Sequence, residues 1–125
     1  PAYAKTRDDA RRLAAETLDT VLTRNRIAVL VAPTTGTAWL SDPVHGDQGS
    51  GPSASQLPAV AGYPHLTVPM GLTSGLPAGL SFIGAKWSEG RLLELGHAYE
   101  QASRARVAPQ YRPTVDAGPG VEGAR

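Results

Sequence analysis

An α/β fold, with helices packed on a small sheet, is predicted for this chain by three observations. Ile27–Ala32 (IAVLVA) and His65–Met70 (HLTVPM) are short apolar runs containing β-branched residues, as buried strands are. Two longer stretches, near 6–21 and 88–102, repeat apolar residues at helical spacing. Glycine and proline cluster between these segments, which separates short elements by turns.

The first element is a helix. Thr6 followed by Asp9 has the spacing of a cap, with acids early where the helix dipole favours them. Ala10, Leu13, Ala14, Thr17, Leu18 and Val21 share one face, and Arg12, Glu16 and Asp19 the other. Such a helix needs a partner for its apolar side. Arg12 and Glu16 form an i,i+4 pair that contributes only ~0.3 kcal/mol.

Ile27–Ala32 is continuously apolar and does not alternate, so both of its faces are expected to be buried. Residues 33–56 form a long loop rich in Gly, Pro and Ser that carries Trp39, Asp42, His45 and Asp47. Loops of that length in compact domains are usually functional or disordered. Ser55–Ala61 reads as a short helix capped by Ser55 and ended by Gly62, with Pro58 tolerated in its first turn.

Pro69 cannot donate to a ladder, so it is expected at a strand end, an edge or a bulge. Gly71–Gly79, with three glycines and Pro77, is the connection, and Leu80–Ile83 (LSFI) the next strand. That connection is too short for a crossover, which favours an antiparallel pair. Ser88 then caps a last helix with Leu92, Leu95, Ala98, Tyr99 and Ala102 on its apolar face and His97 turned to solvent. The segment from Pro113 onward has little to bury and is expected to be disordered.

Composition narrows the possible functions. The 125 residues hold 12 Lys+Arg and 11 Asp+Glu, a net charge of +1 that makes no electrostatic case for nucleic acid or a membrane surface. Without cysteine there is no disulfide, thiol nucleophile or cysteine-based zinc site. No apolar run reaches the ~20 residues needed to span a bilayer. PAYAKTRDDA lacks the apolar core of a secretion signal, which points to the cytoplasm.

Two segments invite a catalytic reading. In 49–61, GSGPSASQLPAVA, a Gly/Ser run before a helix could hold a nucleophile or an anion, but Pro52 interrupts it. A flexible loop leading into a capped helix is the better reading of it. In 42–47, DPVHGD, one histidine and two carboxylates could bind a metal or form a hydrolytic pair. Loop polar residues are usually solvated, and catalytic sets converge from distant segments. His65, at a strand entry, reads as a satisfied structural histidine, and Tyr63 and Tyr99 as core or near-core residues.

Several ordered motifs together resemble the C-terminal end of the amidase signature family. They are Gly62-Tyr63-Pro64, Val68-Pro69-Met70-Gly71, Gly75-Leu76-Pro77-Ala78-Gly79, Gly84, and Glu89 with Leu92-Leu93. The upstream Ile27–Thr34 run is similar to the strand before that family's late active-site loop. The resemblance covers roughly residues 1–113 and leaves 114–125 as a tail. It implies the C-terminal part of a larger mixed-sheet α/β/α fold, here about three strands, two main helices and a long loop. It also implies hydrolysis of carboxamide C–N bonds through an acyl-serine, with no cofactor or metal.

The family's nucleophilic serine, bridging serine and lysine have no counterpart here. GSGPSAS lacks the doubled glycines of the family's Gly/Ser signature, and Lys5 and Lys86 are the only lysines. No catalytic residue is therefore assigned. Thr34, Thr35, Trp39 and His45, after Pro33, are the implied substrate-pocket residues, for a small-molecule or peptide amide. The chain is expected to need the N-terminal remainder of the domain, because three strands apolar on both faces exceed what two helices can cover. Two other readings stay open. One is a non-catalytic binding or structural module of the same ancestry. The other is an independent hydrolase using Ser50 or Ser53 with His45 and Asp42 or Asp47.

Overall fold

The computed structural model describes residues 2–38, 43–46, 49, 51, 53–73, 75–109 and 111. Its elements run α1 (Ala2–Arg24), β1 (Val29–Pro33), α2 (Gln56–Ala61), β2 (His65–Thr73), β3 (Leu76–Gly84) and α3 (Glu89–Ser103). The strands form one sheet in the order β1-β3-β2, and both pairings are antiparallel.

The register decides what each face of the sheet carries. Thr67 lies opposite Ser81, Pro69 opposite Gly79 and His65 opposite Ile83, while Ala32 and Leu30 of β1 face Ser81 and Ile83. Residues paired this way point to the same side. One face therefore carries His65, Thr67 and Ser81. The other carries Leu66, Val68, Leu80, Phe82, Val29 and Val31.

The apolar face packs against α3. Leu92, Val68 and Phe82 are buried at its centre, ringed by Val29, Leu66, Leu80, Leu95 and Tyr99. Phe82 meets Tyr99 edge to face, with ring centroids 5.9 Å apart. Helix and strand come this close because position 96 has no side chain. A Cβ on Gly96 would lie 2.5 Å from Leu66 Cδ2. Val31, on the same face at the β1 edge, is 52% exposed and lies beyond this cluster. The expectation that both faces of β1 are buried therefore fails within this chain.

Further expectations are corrected. The β2–β3 hairpin is longer than the apolar runs alone suggest, because Gly71, Leu72 and Thr73 pair with Ala78, Pro77 and Leu76. Pro69 sits beside a register shift between Pro69 and Gly71, one of the places allowed for a residue without an N–H. β1 begins two residues later than its apolar run. Thr6 is not a cap. It lies inside α1 and its hydroxyl donates to the Ala2 carbonyl at 3.1 Å, while Asp9 pairs with Lys5 and Arg12. Ser55 and Ser88 make no side-chain cap either. Their ψ angles of −29° and 24° lie outside the extended region from which a cap hydroxyl reaches the helix N–H groups. Gly62 ends α2 as expected, at φ 74° with its N–H on the Pro58 carbonyl.

The buried stripe of α1 is narrower than its apolar periodicity. Ala14, Leu18 and Leu22 are buried, whereas Ala10, Leu13 and Thr17 are exposed. The element α1 packs against is the six-residue α2, too short to cover a full face. On α3, Ala98 and Ala102 are likewise exposed and Gly96 takes the buried position.

Tyr63 ties the β2 entry to α1, its hydroxyl donating to Asp19 Oδ1 at 2.8 Å. Burial, then the hydrogen bond and the charge of Asp19, raise the phenol above its ordinary 10.0. A raised folded-state value stabilises the neutral form. The contribution is complete below pH 10 and is lost as pH climbs through the folded-state value. Tyr63→Phe is expected to cost ~1 kcal/mol near neutrality, because the acceptor Asp19 is exposed. It is also expected to flatten the alkaline fall in stability. Denaturant titrations at neutral and alkaline pH check both, and an unchanged alkaline slope would count against the bond.

Candidate functional site

The sheet face opposite α3 carries a line of hydroxyls and one imidazole. His65 Nε2 lies 2.6 Å from Ser81 Oγ, Ser81 Oγ donates to Thr34 Oγ1 at 2.9 Å, and Thr34 Oγ1 makes a long 3.4 Å contact to Thr67 Oγ1. Three strands contribute, Thr34 as the first residue beyond β1. Ser81 is fully buried, His65 and Thr34 are half-buried, and Thr67 reaches the surface. Among the described residues no buried side-chain nitrogen or oxygen lacks a partner, so the line satisfies the polar groups it buries.

Backbone contacts set its geometry. Thr34 N–H donates to the Gly79 carbonyl at 2.8 Å, extending the β1–β3 ladder by one residue. Ala54 N–H donates to the Thr34 carbonyl at 2.9 Å, and a Cβ on Gly51 would lie 3.5 Å from Gly36 Cα. The two ends of the long loop are thus pinned side by side at Thr34. Gly79 makes room for the threonines: a Cβ there would lie 2.7 Å from Thr67 Cγ2 and 2.8 Å from Thr34 Oγ1. Beside Thr67 a groove of about 340 Å³ runs between Val68, Pro69, Pro77, Ala78 and Gly79.

Three of the four pocket candidates from the sequence, Thr34, Thr35 and His45, lie among the described residues. Thr34 belongs to the hydroxyl line. Thr35 is exposed, and its hydroxyl turns back to the Gly36 carbonyl at 2.8 Å. His45 is exposed in a turn over 43–45. Trp39 lies outside the described residues, as do Asp42, Asp47 and Ser50. Ser53 is occupied locally, its Oγ 2.8 Å from Ser55 Oγ and accepting the Ser55 N–H at 3.3 Å. Among the described residues no group of three His, Asp or Glu side chains could hold a metal ion.

His65 is the satisfied histidine expected from its position. Thr67 and Ser81 were missed, although a signal was present: HLTVP and GLSFI each place a hydroxyl among apolar neighbours, and their alternation puts both on one face. Among the described residues, no helix is long and apolar enough to cross a membrane.

No family model matches the chain. It is 34% identical over 109 residues to a Glutamyl-tRNA(Gln) amidotransferase subunit of Nitrosococcus oceani, covering 82% of this chain and 22% of that protein. It is 42% identical over 62 residues to a probable amidase of Arabidopsis thaliana, covering 49% of this chain and 12% of that one. Among solved structures, the native peptide amidase of Stenotrophomonas maltophilia superposes with a TM-score of 0.78 at 50% identity, over 89% of this chain and 22% of that one. A bacterial aryl acylamidase of the amidase signature enzymes superposes with a TM-score of 0.60 at 26% identity, over 74% of this chain and 21% of the other. The chain thus spans less than a quarter of the length of each of these relatives. Sequence and fold agree across this set, and the chain belongs to the amidase signature family, with the fold of its C-terminal part.

Proposed function

We propose that this chain is the C-terminal scaffold, and part of the substrate pocket, of an amidase that hydrolyses carboxamide C–N bonds. The observation that carries this reading is half identity to a peptide amidase over nine-tenths of the chain, with the same fold. In the proposed reaction a serine outside residues 1–125 attacks the amide carbonyl. Backbone donors stabilise the oxyanion, ammonia or an amine leaves, and water releases the acid from the acyl-serine.

The side chains present are consistent with that division of labour. Lys5 pairs with Asp9 on an exposed helix face, and Lys86 stands 5.6 Å over the Trp87 ring. The uncovered apolar groups support a covering remainder of the domain: Leu13 at 55%, Val31 at 52% and Leu72 at 52% exposure. Residues 1–113 are assigned to that domain and 114–125 to a tail. Thr34, Thr35, Trp39 and His45 are proposed to border the pocket, and the substrate is a small-molecule or peptide amide.

The test compares two proteins against an N-acetyl dipeptide amide and an aryl acylamide, with ammonia or amine release as readout. One is the native polypeptide containing this sequence; the other is residues 1–125 alone. Turnover by the native polypeptide only is expected. Turnover by neither would overturn the amidase reading, and turnover by 1–125 alone would overturn the scaffold role.

A further inference from the structure

We infer that Thr67 is a substrate-positioning residue, whose hydroxyl donates a hydrogen bond to a carbonyl oxygen of an amide substrate lying in the groove beside it. The inference rests on the amidase reading above and adds a residue and a contact to it.

The direction of the hydroxyl line carries the inference. Each hydroxyl has one proton to give. Ser81 gives its proton to Thr34, so at its short contact with His65 it accepts, and the imidazole is the donor through Nε2–H. Thr34 accepts from Ser81, and its own proton is directed at Thr67. Every proton therefore points the same way, from the half-buried histidine toward the surface. Thr67 ends the line as an acceptor, with its own proton unspent on any described residue. Thr67 is also one of the residues that line the groove.

The groove suits an acyl or peptidyl chain. Its volume of about 340 Å³ is at the lower end of small-molecule sites. Pro69, Pro77, Ala78 and Gly79 give it small, stiff, mostly apolar walls, and proline supplies no N–H to compete for the ligand carbonyl. Thr67 is the side-chain hydroxyl donor among its lining residues. The β-branched Thr67 has a restricted χ1, and Thr34 behind it limits the hydroxyl rotor, so the donor is aimed before the ligand arrives.

The test uses the native polypeptide, with two readouts: turnover of an N-acetyl dipeptide amide, and calorimetric binding of its non-cleaved N-methylated analogue. Thr67→Val keeps the shape and removes the donor. It is expected to raise KM and the analogue's Kd roughly tenfold with kcat within about twofold, as one lost neutral hydrogen bond does. Thr67→Ser is expected to recover most of the loss, which a packing role for the methyl group would not allow. Thr34→Val, which removes the orienting donor, should fall between the two.

Wild-type turnover with equal affinity in Thr67→Val overturns this inference and leaves the amidase reading standing. Affinity that depends on the Thr67 hydroxyl, without wild-type turnover, overturns the amidase reading and keeps the contact. Neither binding nor turnover overturns both.

Discussion

Replacing Leu92 by alanine is expected to lower the stability of the polypeptide by about 2–5 kcal/mol, the range for truncating a buried leucine. Leu92 is 2% exposed and sits between Val68 and Phe82, where α3 is held on the sheet. The cluster is small, so the cavity has few neighbours able to collapse into it. One of its methyls also fills the space that Gly84 leaves open, 3.0 Å from where a Cβ would stand. A lower denaturant midpoint with an unchanged m-value is the expected signature. Leu93→Ala, 62% exposed one residue away, is the control and should change stability by less than ~0.5 kcal/mol. Equal losses at both positions would mean that the outer face of α3 is covered in the intact protein. A loss below ~1 kcal/mol at Leu92 would remove α3 from its place as the core-forming helix.

Gly79→Ala is expected to destabilise by about 1–3 kcal/mol and Gly79→Val by more, through overpacking. The glycine is extended, so the added atom is opposed by its neighbours and not by its own backbone. The neighbours cannot easily move. Thr67 and Thr34 are β-branched and stiff at χ1, and Thr34 is further held by its N–H on the Gly79 carbonyl. Thr67→Ser removes the Cγ2 that lies 2.7 Å from the new atom. It should recover part of the loss in the Gly79→Ala background, a coupling that a double-mutant cycle reads directly. Additive effects would show that the two positions do not meet. In the native polypeptide, Gly79→Val is also expected to raise KM for amide substrates, because Gly79 and the displaced Thr67 both line the groove.

Much of the fold is legible in local chemistry. The apolar runs at 27–32 and 65–70 mark two strands, the short Gly/Pro-rich connection after Gly71 implies an antiparallel partner, and the helical spacing of Leu92, Leu95 and Tyr99 marks the face that meets the sheet. The caps are not legible, because Ser55 and Ser88 have the right side chain and the wrong backbone angles, and those angles follow from how the chain enters each helix. The buried position of Gly96 escapes apolar periodicity as well. It contributes no apolar side chain and matters only because Leu66 of another element presses against it.

The candidate site divides in the same way. Thr34 is identifiable from its place after the apolar strand and from the family resemblance, and His65 from its strand entry. Their connection is not, since it passes through Ser81, a residue 47 positions from Thr34 and 16 from His65. What the sequence by itself determined is family, and strand and helix periodicity. The tertiary structure alone decided that β3 lies between β1 and β2. Its register brings Thr34, Thr67, Ser81 and His65 onto one face, and a shift of one residue would have sent those side chains to the other side of the sheet.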